Sequence, residues 1–403
     1  MKTGERVNIS ACWNVLNEWS FRTDTRFEMK RIWTAALSAL LLTTGACALD
    51  HETRTEGKAA IQKGLAWLVA KQKDDGSWSN ERFPALTGLP LWALSEVASE
   101  YPEYAANIAA AVAYLKDKAQ PDGGIYVPDP RRGGAGLGNY NTSVCMMAFQ
   151  ATGRKDVIPL ILKAREFTAN TQLTGDDVHA GGFGYDRNGR RYSDLSNTAM
   201  AIDAMRMTES AEEFRPAGEK KADLNWDAAL KYVAGMQVPQ GREDKGGFVY
   251  TKSFARAPSA DANGVSGGRF GRPRLQSYGS ITYDGLLSLM HCKLTPKDPR
   301  VVSALDYCAK HWTLDENPGQ GMQGVYFYYD ILTRALNASR VDTIECADGK
   351  KVDWRAEVIR KVVSLQKREG YWTNANNRWW ENDPVLATSY SLICLEHALK
   401  QAK

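Results

Sequence analysis

Apolar and polar positions along the chain fall into paired helical segments. A run ending in Gln, Lys63 to Gln72, is followed by the acidic glycine turn Lys73-Asp74-Asp75-Gly76-Ser77-Trp78 and then by an apolar helix from Thr87 to Val97. The order recurs. Tyr114 and Gln120 lead to Gly124-Ile125-Tyr126 and a helix from about Asn141 to Phe149. Phe167 and Gln172 lead to Gly182-Phe183-Gly184-Tyr185 and a helix from about Ser196 to Met207. Tyr232 and Gln237 lead to Gly246-Gly247-Phe248-Val249-Tyr250 and a helix from about Ser280 to His291. A degenerate fifth copy has Tyr307, then Trp312 where Gln is expected, then a helix from Tyr326 to Leu336. The sixth keeps Gln366 and Gly370-Tyr371-Trp372, with a helix from about Leu386 to Leu399. The aromatic precedes the Gln by five residues at 67/72, 167/172, 232/237 and, with Trp for Gln, 307/312.

Each unit reads as a helix hairpin with too little core to stand alone, so neighbours must stack. Six hairpins can close on themselves, which predicts an all-α fold, an (α/α)6 toroid with six outer and six inner helices. The Gln amide is expected to satisfy orphan groups at a helix end while the aromatic packs over it.

The first fifty residues do not follow this grammar. Met29-Lys30-Arg31 precedes the apolar run Ile32 to Leu42 and the small residues Ala46-Cys47-Ala48. A basic start, a short apolar stretch and an A-x-A site predict a signal peptide over 29–48, cleaved after Ala48. That implies export to the periplasm or the extracellular space. Acylation of Cys47 is a further option, against which Thr44 stands where an aliphatic residue is expected. Residues 1–28 read as a mis-assigned extension, leaving 49–403 as one toroid domain. No apolar run reaches the length of about 18 residues that a membrane span needs. With 51 basic against 47 acidic side chains, charge gives no basis for nucleic-acid binding. Cys145, Cys292, Cys308, Cys346 and Cys394 form no tight pair and no CxxC or HExxH occurs, so neither a disulfide framework nor a zinc site is expected.

The first repeat, with its Lys-Gly, aromatic-aliphatic, Gln and Gly-x-Trp, resembles the QW motif of squalene-hopene cyclases and related triterpene cyclases. Over about residues 56–400 the chain resembles the prenyltransferase and squalene oxidase repeat superfamily, whose fold is an α/α toroid. The resemblance implies an isoprenoid-type or other small hydrophobic ligand in the toroid cavity and no cofactor. Class II cyclases of that superfamily use Asp-x-Asp-Asp-Thr-Ala. Here the matching segment is Asp194-Leu195-Ser196-Asn197-Thr198-Ala199, so a hydroxyl and an amide replace the central carboxylates. Neither supplies a strong acid. Protein prenyltransferase β subunits hold zinc with Asp, Cys and His; the segment Tyr278 to Gly285 has no His.

Candidate chemistry therefore lies elsewhere. Thr87, Thr142, Thr198, Thr282 and Thr388 recur near the inner-helix starts, with Tyr328 in the fifth copy. They read either as helix caps or as the rim of a cavity mouth where six positive helix ends favour anions. Three loops are chemically loaded: Asp176 to Asp194, Phe254 to Gln276, and Asn374 to Asp383 with Trp379, Trp380 and Glu381. Asp284 and Asp330 each lie one turn into an inner helix, where desolvation would suit an acid role. The candidate catalytic residues are thus Asp284, Asp330 and Asp194. The candidate ligand contacts are Thr142, Asn197, Thr198, Tyr283, Tyr328, Tyr329, Trp379, Trp380 and Thr388. Two alternatives stand beside the isoprenoid reading: a non-catalytic binding or scaffold toroid, and a carbohydrate-active (α/α)6 enzyme with Glu381 and Asp383 beside the tryptophans.

Overall fold

The structure, a computed structural model, describes residues 49–130, 136–186, 192–252 and 276–400. The expectations for residues 1–48, and for most of the Phe254–Gln276 loop, fall outside the described residues. Twelve α-helices occur among the described residues. Six are outer: α1 (His51–Val69), α3 (Ala105–Asp117), α5 (Ile158–Thr171), α7 (Trp226–Met236), α9 (Pro299–Lys310) and α11 (Trp354–Leu365). Six are inner: α2 (Ala85–Glu96), α4 (Gly138–Ala151), α6 (Leu195–Met207), α8 (Gly279–His291), α10 (Val325–Ala338) and α12 (Pro384–Leu399). Each inner helix packs on the next, and α12 packs back on α2. The ring closes. The fold is an all-α toroid.

Inner helices are buried nearly all round, as α2 shows from Ala85 to Ser95, whereas α9 buries only Val301, Ala304, Tyr307 and Cys308 along one stripe. The inner helices start one to three residues earlier than their apolar patterns suggest. One element was not legible at all: a short antiparallel hairpin, β1 (Thr343–Glu345) with β2 (Lys351–Asp353), inserted before α11 and pairing Ile344 with Val352.

The recurring Gln, Gly and aromatic residues are joints between repeats. Gln72 Nε2 donates to Gly76 O in its own turn and to Asn107 O in α3, both at 3.0 Å. Gln172 and Gln237 bridge in the same way, to Asn225 O and Arg300 O of the following outer helices. Gln366 closes the circle, donating to Gly370 O and to Ala60 O of α1 at 2.9 Å. In the fifth repeat, Trp312 Nε1 reaches Glu357 of α11 at 3.1 Å, so the degenerate copy keeps the joint with other chemistry. Gln120, spaced six from its aromatic, instead bonds within its own repeat, to Lys118 O and Tyr126 O. The aromatics, expected from sequence to pack over their own Gln, make their ring contacts elsewhere. They pack on the turn of the preceding repeat: Trp67 stacks on Tyr371 at 5.0 Å, and Phe167 packs beside Tyr126 at 6.0 Å.

The turn must be glycine for two reasons. Gly370 has φ +107, and a Cβ there would stand 2.6 Å from Lys63 O on α1. Gly349 also has positive φ, +79, but faces open space. Gly349→Ala is expected to cost about 1–2 kcal/mol of left-handed strain. Gly370→Ala is expected to cost a further 1–3 kcal/mol or so by overpacking the seam. Urea unfolding of the two variants checks the difference; equal losses would show that the seam tolerates a side chain.

Candidate functional site

The inner helices open at their N-terminal ends into a cavity of about 1060 Å³, at the upper end of the roughly 300–1,000 Å³ typical of small-molecule sites. Helical geometry decides which side chains reach it. The pairs Ser196/Met200, Ser280/Asp284 and Leu386/Tyr390 line the cavity, each spaced i, i+4 on one face. Thr198, Thr282 and Thr388 sit two residues after the first member of each pair, about 200° around the helix. They point into the wall, so the rim expected from sequence is not formed.

Their hydroxyls accept the backbone N–H groups that follow each glycine turn. Thr87 takes Trp78 N at 3.1 Å, Thr142 takes Ile125 N at 2.9 Å and Thr198 takes Phe183 N at 2.9 Å. Thr282 takes Phe248 N and Thr388 takes Trp372 N, both at 3.0 Å. Tyr328 replaces the threonine with a longer reach, donating to Thr313 O at 2.9 Å. Tyr329 donates to Leu314 O at 2.5 Å, and the Tyr283 ring packs 5.8 Å from Tyr328. All three tyrosines are buried in the wall rather than at the cavity surface. As helix caps the threonines also fail, because the cap positions are Pro84, Leu137, Asp194, Tyr278 and Asp383.

The positive helix ends at the mouth are occupied by groups borrowed mostly from the next repeat. Asn141 Oδ1 accepts Ala85 N of α2 at 3.0 Å, and Asp186 accepts Leu137 N and Gly138 N of α4 at 2.6 and 3.2 Å. Asn317 Oδ1 accepts Ser280 N of α8 at 2.9 Å, and Glu381 accepts Phe327 N of α10 at 2.9 Å. Asp383 caps its own helix α12 through Val385 N at 2.9 Å and takes a hydrogen bond from Ser79. Asp194, a candidate acid from sequence, caps α6 and accepts the backbone and amide N–H groups of Asn197 at 2.8–3.0 Å. The residue in the cyclase-motif position is thus a structural cap.

Asp284 and Asp330 part company. Arg334 on α10 grips Asp330 one turn earlier, with Nη2–Oδ2 at 2.8 Å, and also pairs with Asp203 of α6. His291 Nε2 approaches the same Asp203 at 3.0 Å. Burial works against the Asp203 charge, but Arg334 and His291 hold its carboxyl down at about 2. Asp330 is therefore an ion-pair partner beneath the cavity, not an acid facing it. Asp284 does line the cavity, and its Oδ2 is buried with no hydrogen-bond partner. Burial pushes its carboxyl well above the usual range; Arg334 opposes this, and the neighbouring Asp203, Asp330 and Asp194 reinforce it. Asp284 thus holds its proton more tightly than an exposed aspartate would.

Aromatic side chains cover much of the remaining surface. Tyr140 and Tyr390 meet OH to OH at 3.3 Å, Tyr185 and Tyr250 at 3.4 Å. At the mouth, Trp380 stands edge-on to Phe83 at 5.1 Å, and Arg378 lies over Trp379 at 4.6 Å. Trp379 and Trp380 have φ of 61° and 66°, a left-handed pair that bulky residues seldom adopt. They line the cavity while remaining 39% and 47% exposed. Their arch is anchored by Glu381, whose second oxygen accepts Asn374 Nδ2 at 2.8 Å. Gln320, Tyr278, Tyr140 and Tyr390 also line the site. None was singled out from sequence, since no repeat position marks them. Among the described residues no group of three or more His, Cys, Asp and Glu is placed to hold a metal ion, and no helix is long and apolar enough to cross a membrane.

No family model matches the chain, and no curated protein matches it. Solved structures do. Type II terpene cyclase MstE from Scytonema superposes with a TM-score of 0.54 at 13% identity, covering 86% of this chain and 98% of that chain. A point variant of that enzyme in complex with its substrate geranylgeranyl dihydroxybenzoate gives 0.53 at 12%, covering 87% and 99%. An inactive variant of the α-1,6-mannanase GH76A of a Salegentibacter species, bound to α-1,6-mannotriose, gives 0.53 at 12%, covering 85% and 98%. What these proteins share with the chain is the toroid.

Glu381 provides a pH signature. Burial raises its carboxyl from 4.5 to about 7, against the hydrogen bonds from Phe327, Asn374, Tyr326 and Val325 that favour the anion. The folded state then binds more protons than the unfolded state between pH 4.5 and 7. The contribution of this group is fully present below that window and declines as pH rises through it. Urea midpoints of the wild type and Glu381→Gln, measured across the window, are expected to diverge in favour of the variant as pH rises. A difference independent of pH would mean that Glu381 is ionised throughout.

Proposed function

We propose that the chain is an exported squalene-cyclase-like repeat toroid whose cavity binds an isoprenoid-type ligand and presents Asp284 to it as an acid. One observation carries the reading: a buried carboxyl with an unmet oxygen, in the wall of an aromatic-lined cavity of about 1060 Å³. Tyrosine and tryptophan faces suit both a hydrocarbon chain and any positive charge developing on it. The resemblance of the repeats to QW motifs supports the ligand class, and the bound substrate of the Scytonema cyclase shows that such a toroid accommodates a prenylated molecule.

The reaction this acid suits is narrower than cyclisation of a plain polyene. Protonating an unactivated alkene calls for a strong acid, and burial makes Asp284 a weaker one. Ser196 and Asn197 stand where the cyclase carboxylates would be. Asp284 is suited to donating a hydrogen bond or a proton to a ligand oxygen. A carbohydrate-active reading would need Glu381 as its partner carboxylate, but both Glu381 oxygens are engaged, by Phe327 N and Asn374 Nδ2.

The test is incubation of the purified protein with an extract of bacterial isoprenoid lipids, following retained ligands and new products by mass spectrometry. Asp284→Asn is expected to reduce product formation by about 10²-fold or more while retention stays within a few-fold. Undiminished product from the variant would remove Asp284 from the chemistry. Retention without conversion by the wild type would make the toroid a binding protein. Neither retention nor conversion would end the isoprenoid reading.

A further inference from the structure

The cavity has two unlike sides. In a six-membered ring of inner helices, α8 stands opposite α2. The α8 side carries Tyr278, Ser280 and Asp284, with Gln320 from the loop before α10 beside them. The α2 side carries Ala85 and Leu86, continued by Leu386 of α12 and covered by the Phe83–Trp380 pair.

On the polar side, two buried atoms have no partner: Asp284 Oδ2 and Gln320 Oε1. Gln320 is only 3% exposed although it lines the cavity. The contrast with its neighbour Asn317 is informative. Asn317 spends its whole amide on structure, with Oδ1 accepting Ser280 N at 2.9 Å and Nδ2 donating to Ser280 Oγ and Gln323 O, both at 3.0 Å. Gln320 Oε1 serves no such purpose. A buried amide oxygen left unmet costs the fold stability, and a ligand that supplies a donor recovers it.

We infer that the ligand is an isoprenoid with a neutral hydroxylated head, seated head-first against Gln320, Tyr278 and Asp284, with its hydrocarbon along Phe83, Leu86 and Leu386. This rests on the reading that the cavity takes an isoprenoid, and it adds the head group and the direction of binding. A hydroxyl both donates and accepts, so it meets the Gln320 oxygen and the Asp284 carboxyl or the Tyr278 phenol together. A bare hydrocarbon leaves that wall unmet. A diphosphate would set its negative oxygens against the unmet oxygens of Gln320 and Asp284.

The test is equilibrium binding of geranylgeraniol, squalene and geranylgeranyl diphosphate to the full chain, read by tryptophan fluorescence and confirmed by mass spectrometry of the retained lipid. The alcohol is expected to bind about tenfold or more tightly than either of the others. Gln320→Met is expected to weaken the alcohol by about tenfold and to leave squalene within about twofold. If that variant does not fold, as judged by circular dichroism, Tyr278→Phe carries the same comparison, because it removes one oxygen and keeps the ring. Squalene or the diphosphate binding as tightly as the alcohol overturns the head-group inference while leaving the isoprenoid reading in place. A variant without effect on the alcohol does the same. Binding of none of the three overturns both.

Discussion

The ring depends on one close contact, repeated around its circumference. A glycine turn sits so near the backbone of the next outer helix that a side-chain carbon cannot enter: a Cβ on Gly76 would lie 2.4 Å from Ala110 O, and one on Gly370 2.6 Å from Lys63 O. The glutamine beside the turn then spans the same gap with its amide. Threonine ties the far end of the turn to the inner helix. These bonds fix both the spacing of the outer ring and the height of the inner one, and the cavity is the space that remains. Its shape is a by-product of the joints; its chemistry comes from residues the joints do not use.

That division explains what could be read in advance. Gln, Gly and aromatic residues at fixed spacing made the hairpins, their number and the closed ring legible, because every copy must make the same joint. The partners of those residues were not legible, since most lie in a neighbouring repeat. Glu381 caps a helix 54 residues earlier in the chain, and Asp186 one 48 residues earlier. Facing was equally hidden: Thr282 and Ser280 are both small, polar and two residues apart, yet one holds the wall and the other lines the cavity. Asp284 and Asp330 looked equivalent in sequence. What separates them is Arg334, one turn after Asp330 on the same helix and absent from the corresponding place on α8.

The centre of the ring is an exercise in shared charge. Arg334 is buried, and its single positive charge is claimed by Asp203 and Asp330 together. A buried pair broken by removal of one partner costs about 3–5 kcal/mol, so this group of residues fastens α6 to α10 below the cavity. With Arg334 already committed, a third carboxylate nearby gains little by ionising. The raised proton affinity of Asp284 thus comes first from its own burial and is reinforced by the carboxylates of the cluster beneath it.

Closure also has a temporal side. The groups that complete the first outer helix arrive from Gln366 and Gly370, some 306 residues after Ala60. During synthesis from the N-terminus, α1 is made first and keeps an unpaired flank until the last repeat emerges. Long-range closure of this kind is slow and leaves apolar surface uncovered in the meantime. A truncated chain lacking the sixth hairpin keeps that flank open for good.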